Sequence, residues 1–477
     1  MADEILSFGY FGRRRISTSV DSITAENVAD VLSNAYTTHL ANRTEIEYLY
    51  KYYKGNQPAL YRKKEIRPEI CSHIVENRAS QIVTFRVGYT VGKPIQYVSV
   101  VGDDKVSKAI ARLNDMMRKV GKPSKDKQLV EWQMICGTGY RMTLANDNPG
   151  AKVPFDIYIP DPRNTFVIYK NDVGQTPLAG VYYTTDEQQN NTFYVYTNDG
   201  QHFVLDGWQS GTIIKRSTYK LAGIPIVEYP LNNARLGAFE VVLSLLDAVS
   251  DLDSNRLDSV QQFVQSLLVA YNCELPEDAT ANTIRAAGMI VLKSVGENKA
   301  DVKVISETLD QSQIETLKRD LLDAINEIVG MPSQGNGSTG DSSNNGAVIL
   351  KNGWQGAETR AQDFEMMFRE PEQRTLEIVT GICNGLLPDF ELDPDNIDVK
   401  FTRRNYEDIL SRSQTLITML NNDKIHPQCA YEASGMFIDT QDAYNMGMEW
   451  YERQSAKEQA EMAQKTAVSD NDENPTT

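Results

Sequence analysis

The sequence has no apolar run near the ~18 residues needed to cross a bilayer; the run from Val241 to Leu246 is short and is interrupted by Ser244. Cysteine is scarce. The five present (Cys71, Cys136, Cys273, Cys383, Cys429) are odd in number and far apart, which excludes a disulfide framework and suits reduced thiols in a cytosol. A secretory leader is not expected, because Asp3 and Glu4 come first and Arg13-Arg14-Arg15 follows a short mixed segment. No G-x-x-x-x-G-K-[ST] run is present, which excludes a phosphate-cradling loop of that type. His39, His73, His202 and His426 lie far apart with no partner at ligand spacing, so neither a metal site nor another cofactor is expected. Cations are outnumbered, 48 Lys and Arg against 65 Asp and Glu, and the formal charge of −17 argues against a tight binder of nucleic acid or anionic membrane. What is present is size and aromatic content. A chain of 477 residues with 23 Tyr, 14 Phe and 4 Trp is not disordered and has length for roughly two to four domains at ~150 residues each.

The pattern is α+β. The first 150 or so residues read as helices: Thr24 opens one through Val28, Val31, Leu32 and Tyr36, which continues over Glu45 to Tyr53. Pro68 suits the first turn of another, carrying Ile70, Ile74, Val75 and Ile82. Two more cover about Asp104 to Val120 and Lys125 to Cys136. From Phe155 to Pro230 strand-like runs alternate with turns such as Asn198-Asp199-Gly200, which predicts a compact antiparallel module. A proline-free rod is expected from Leu236 to Cys273, with Asp247, Asp251 and Asp258 on roughly one face. A small α/β insert follows, then a second rod from Glu307 to Val329. Residues 333–346 are almost wholly Gly, Ser, Asn, Gln, Thr and Asp, the composition of a polar loop. A third long helix carries Pro371 in its middle, where a kink is expected. Then come a strand, Ile397 to Phe401, and helices from about Tyr406, Pro427 and Thr440, with a frayed end expected from Ser455.

Chemistry is harder to find. Gly335-Asn336-Gly337-Ser338-Thr339-Gly340 matches the dinucleotide fingerprint by letter only, because it lacks the preceding strand and following helix that the chemistry needs. The acids form no nucleophile–base constellation. Arg62, Lys63, Lys64 and Arg67 lie beside Tyr52, Tyr53 and Tyr61. That mixture suits nucleic acid, but pairing with acids of a neighbouring subunit is the plainer reading. Lys351, at the end of the polar loop, is the better candidate for touching a polyanion.

Several segments, in order, resemble the portal proteins of tailed bacteriophages of the Gram-positive siphophage type. They are Tyr52-Tyr53-Lys54-Gly55-Asn56-Gln57-Pro58 through Arg67-Pro68-Glu69-Ile70, and Phe85-Arg86-Val87-Gly88-Tyr89 leading to Gly92-Lys93-Pro94-Ile95. Asn164 to Tyr169, Ile224 to Pro230, and Val329-Gly330-Met331-Pro332 followed by Ala347 to Lys351 are similar too. The resemblance implies a homo-oligomeric ring of twelve at one capsid vertex of a virion, assembled in the host cytoplasm, with double-stranded DNA passing through it non-specifically. It implies as partners the terminase large subunit, the head–tail adaptor, and the scaffolding and major capsid proteins, with no membrane, no cofactor and no enzymatic activity. In that scheme residues 1–235 are a wing (helical to about 150, a β module over 151–230), 236–272 and 307–330 are stem helices, and 273–306 are the clip. Residues 331–353 are the tunnel loop and start of the tunnel helix, 354–387 the kinked tunnel helix, 388–404 a return strand, 405–460 the crown and 461–477 a disordered tail. The implied sites are Gln334, Asn336, Ser338, Asn344, Asn345 and Lys351 on the tunnel loop, Asp247, Asp251 and Asp258 as channel acids, Arg285, Lys293 and Lys303 on the clip, and Pro371 at the kink.

Two other classes compete: a metal-dependent nucleic-acid-processing enzyme using scattered acids, and an acidic helical adaptor. The net charge fits the conduit as well as it fits either. An acidic channel repels phosphates spaced about 1.7 Å along the duplex axis and lets DNA slide.

Overall fold

The computed structural model describes residues 12–65, 68–101, 103–146, 148, 150–208, 212–264, 267–271, 273–274, 293–294, 301–305, 311–332, 354–402, 409–437 and 440–472. In chain order it begins with β1 (Ile16–Thr18), α1 (Val28–Tyr53), α2 (Arg78–Val91), β2 (Gln96–Ser99), α3 (Asp104–Lys119) and α4 (Lys122–Cys136). Next come β3 (Thr138–Ala145), β4 (Phe155–Tyr158), β5 (Thr165–Lys170), β6 (Pro177–Thr185), β7 (Asn191–Thr197), β8 (Gln201–Asp206), β9 (Thr212–Thr218) and β10 (Ile226–Pro230). Helix α5 (Leu243–Val264) leads to β11 (Leu267–Tyr271), β12 (Cys273–Glu274), β13 (Lys293–Ser294), β14 (Asp301–Ile305) and α6 (Gln311–Val329). The chain ends with α7 (Trp354–Leu386), β15 (Ile397–Lys400), α8 (Ile409–Leu420), α9 (Pro427–Ser434) and α10 (Thr440–Asp472). Among the described residues no helix is long and apolar enough to cross a membrane.

The chain divides into two compact units, one of Met1–Tyr50, Gln81–Val241 and Gly330–Thr477, the other of Lys51–Ser80 and Val242–Val329. The first is organised by a six-stranded sheet in the order β1-β5-β6-β7-β8-β9. Its neighbours are antiparallel as expected, except that β1 pairs parallel with β5, which the sequence reading did not anticipate. Strand alternation sends Phe166 and Ile168 to one face and Val167 and Tyr169 to the other. On the first face the apolar stripe of α1 (Val28, Val31, Leu32, Ala35, Tyr36) packs on Phe166, Ile168, Val181, Tyr183, Phe193, Val195, Phe203 and Leu205. Each fully buried phenyl ring there contributes on the order of 1.5–3 kcal/mol. On the second face β10 and β3 supply Ile226, Tyr140 and Met142.

One cluster of buried charge crosses this unit. Arg141 of β3 donates to Glu372 of α7 at 2.5 Å and to Asp126 of α4. Lys122 donates to Asp126 at 2.6 Å and lies 3.1 Å from Glu372. The hydroxyls of Tyr97 and Tyr229 donate to the same Glu372 carboxylate at 2.6 and 2.8 Å. Two cations thus meet two anions, with hydrogen bonds filling the remaining lone pairs, which is the condition under which such a cluster survives out of water. Glu372 follows Pro371, which is buried, and α7 runs through both from Trp354 to Leu386.

Four readings are corrected. The helix expected to begin near Pro68 begins at Arg78, because Asn77 caps it: its Oδ1 accepts from the Ser80 N–H at 3.2 Å. The first rod is shorter than Leu236 to Cys273. It is helical only over Leu243–Val264, and Leu267–Tyr271 is a strand paired antiparallel with Asp301–Ile305. A short apolar run such as Leu267-Leu268-Val269-Ala270-Tyr271 fits helix and strand equally by periodicity, and pairing with a second β-branched run decides for strand. The third correction is that α10 continues to Asp472 instead of fraying from Ser455. Finally, Lys51–Ser80 groups with the helix pair and not with the remainder of the N-terminal region.

Candidate functional site

The acid-bearing helix α5 is the place to look, because it carries the stripe picked out by sequence. Its first turns bury Leu243, Leu246 and Val249, and farther along the polar Ser250, Ser254 and Asp258 are buried too. Buried polar groups need partners, and for Ser254, Asp258 and the nearby Asp247 the segment 52–74 of the same unit supplies them. Tyr52 donates its hydroxyl to Asp247 Oδ1 at 2.8 Å. The backbone N–H of Ile74 donates to Ser254 Oγ at 3.0 Å, and that of Ser72 donates to Asp258 Oδ1 at 2.6 Å. Residues 247, 254 and 258 are seven and four apart, one face of a helix, so the segment follows a single stripe.

The three predicted acids therefore stand in three environments. Asp251 is exposed. Asp247 is half-buried; burial pushes its carboxyl up, against the Tyr52 hydrogen bond, and neighbouring Asp251 adds to the rise. Asp258 is 2 % exposed and takes Lys64 Nζ at 2.5 Å, with Arg62 Nη2 at 3.7 Å. Burial works to raise its carboxyl, but Lys64 and Ser72 outweigh that and hold it below the usual range. A carboxylate so occupied offers no free charge, and here the expectation of an open acid is corrected. The basic residues Arg62 and Lys64, expected to meet acids of a neighbour, find them within their own chain; Arg62 also donates to Asn255 Oδ1 at 2.5 Å.

Sequence reasoning missed a second cluster on the opposite helix. Lys318 of α6 donates to Asp253 at 2.7 Å and lies 2.8 Å from Glu76. Burial raises the Asp253 carboxyl in the face of Lys318. Burial acts the same way on Glu76, but there hydrogen bonds and Arg78 prevail and lower it. No local signal marks this triad, since its members lie far apart in the chain. Of the other predicted residues, Lys293 opens β13, which pairs with β12, and Lys303 lies in β14, which pairs with β11. Gln334, Asn336, Ser338, Asn344, Asn345, Lys351 and Arg285 lie outside the described residues. Among the described residues no group of three or more His, Cys, Asp or Glu is arranged to hold a metal ion. The arrangement is that of a braced helix pair with Asp251 exposed on α5.

Set beside known proteins, the chain matches the model of a family described as phage portal protein, SPP1 Gp6-like, over residues 33–466. A solved structure titled "Neck of empty GTA particle computed with C6 symmetry" is similar at 12 % identity, over 75 % of this chain and 90 % of that one, with a TM-score of 0.42. At that level the likeness carries no argument. No curated protein matches the chain significantly.

Proposed function

This chain belongs to the SPP1 Gp6-like family of phage portal proteins, and on that premise we propose that identical copies form a ring at one capsid vertex, the channel by which double-stranded DNA enters and leaves. The match over residues 33–466 is the observation that carries the reading. The family is structural, and no catalytic role is assigned to any residue. In this reading residues 1–50 and 81–235 are the wing, α5 and α6 the stem, 273–306 the clip, 331–353 the tunnel loop, α7 the tunnel helix kinked at Pro371, 388–404 the return to the wing and 405–460 the crown. The clip, with Arg285, Lys293 and Lys303, docks first the packaging motor (the terminase large subunit) and then the head–tail adaptor. Scaffolding and major capsid proteins are its further partners, and the assembled ring is part of the virion.

The chemistry of sliding follows from charge. Asp251, exposed on α5, faces the DNA path and repels phosphate, so that the duplex is not gripped. Amides on Gln334, Asn336, Asn344 and Asn345, the Ser338 hydroxyl and the Lys351 ammonium make weak contacts blind to sequence. The test is direct. Purified protein imaged by negative-stain electron microscopy gives rings with a central hole, and mass photometry gives roughly 640 kDa for twelve copies of 53.6 kDa. Only monomers and dimers, at every salt and protein concentration, overturn the reading. Replacing residues 333–346 by a two-residue linker leaves rings intact and lowers the DNA content of heads; unchanged DNA content removes that role from the loop.

A further inference from the structure

We propose that residues 68–77 are a two-state element: a strap along α5 as seen here, and in the other state an N-terminal extension of helix α2. The first observation is a conflict between sequence and structure. Pro68 in a first turn, Glu69 beside it, and Ile70 and Ile74 four apart are helix-start signals, yet Cys71–Asn77 has no regular secondary structure. Natural sequences seldom set local preference against tertiary structure without a use for both.

The second observation is how the strap is held. The helical alternative sends the Ser72 N–H to the Pro68 carbonyl and the Ile74 N–H to the Ile70 carbonyl. In the strap both donors go instead to side chains of α5, Asp258 at 2.6 Å and Ser254 at 3.0 Å. The Ser72 carbonyl accepts from Arg62 Nη1 at 3.4 Å, and the Ile74 carbonyl from Ser254 Oγ at 3.4 Å. Side chains of α5 thus stand in for the ladder of a helix turn. The third observation is the stop. Asn77 caps α2 at Arg78 while its own side chain accepts from Gln57 Nε2 at 3.1 Å and donates to the Tyr53 carbonyl at 2.9 Å. Removing the α5 acceptors, or the cap, leaves the helix free to grow backward.

The consequence is mechanical. The seven residues 71–77 span up to ~23 Å extended but ~10 Å as helix, so the change shortens the link between α1 and α2. It also releases Asp258 from Ser72, beside Asp247 and Asp251 on α5. The proposal rests on the strap's own geometry, and only the use of that released acid depends on the channel reading.

Hydrogen exchange on the full-length protein, read by mass spectrometry, tests it with two variants. Asp258→Ala with Ser254→Ala removes the acceptors. Val75→Ala with Asn77→Ala favours helix and leaves α5 untouched. Backward growth of α2 slows exchange of amides 74–77 by about tenfold in both variants. Faster exchange across 70–77 shows a strap that merely loosens, and unchanged exchange shows a fixed one; either result overturns the proposal. If the first variant does not fold, the second decides alone. Ring formation by microscopy is scored separately, so that failure of the switch is distinguishable from failure of the portal reading.

Discussion

Two groups of charge in this molecule use the same chemistry at different depths. In the first unit Lys122, Asp126, Arg141 and Glu372 have side chains 0–3 % exposed. In the second, Lys318 and Asp253 are 25 and 15 % exposed, and Lys64, which reaches buried Asp258, is 30 % exposed. Water is the difference. A charge removed from water cannot be parted from its partner without stranding both, whereas a half-exposed pair opens and its members rehydrate. The first group therefore fixes α4, β3 and α7 in one register. The second braces the helix pair through Lys318 and Asp253, which rehydrate when the bridge opens.

The largest effect expected from that contrast is at Glu372. Replacing it by Gln leaves Arg141 and Lys122 short of an anion, and a broken buried pair costs on the order of 3–5 kcal/mol. Urea denaturation at neutral pH measures it. A loss no greater than that for a half-exposed lysine breaks the comparison. The pH dependence points the same way. Burial alone would raise the Glu372 carboxyl, but Arg141 and Lys122 pull it down to about 2 from 4.5. Because the folded carboxyl is the more acidic one, its contribution is complete above the unfolded value near 4.5 and is lost as pH falls toward 2.

Next in size is His39, which is 1 % exposed and hydrogen-bonded through Nε2 to the Arg163 carbonyl at 3.0 Å. Burial lowers its titration to about 4, and Arg43 opposes the charge as well. Between that value and 6.5 the unfolded chain binds a proton that the folded one refuses, so stability falls as pH falls. From pH 7 to pH 5 the loss is about 2 kcal/mol, and His39→Gln flattens it. A wild-type protein equally stable at both pH values contradicts the assignment.

The contrast also explains what was legible. Helices α3 and α4 lie close to where the sequence puts them, and strands β4 to β10 fill the stretch from Phe155 to Pro230 read as strand-like, because periodicity and turn residues such as Asn198-Asp199-Gly200 are local. The stripe of Asp247, Asp251 and Asp258 was legible for the same reason. Its environment was not, since Tyr52 and Lys64 meet it from about 195 positions away in sequence. A helix shows its own faces in sequence but not what covers them. Likewise Arg141 reads as one more strand cation, and only the fold brings Glu372 to it across 231 positions. The strap is the instructive miss: helix-start signals at Pro68 are genuine local preferences, outvoted by Asp258, Ser254 and the cap at Asn77.

The smallest effect sharpens the comparison most. Lys318→Met removes the cation between Asp253 and Glu76, yet a half-exposed bridge is worth at most about 1 kcal/mol. What distinguishes it from an inert surface pair is the carboxyl pair left behind. With the ammonium gone the two anions face each other, so the loss is greatest at neutral pH and low salt. It shrinks as acid protonates one of them or as salt screens both. Lys318→Arg, which keeps the charge, restores most of the stability. A Lys318→Met loss independent of salt and pH means that its aliphatic stem, not its charge, braces the helix pair.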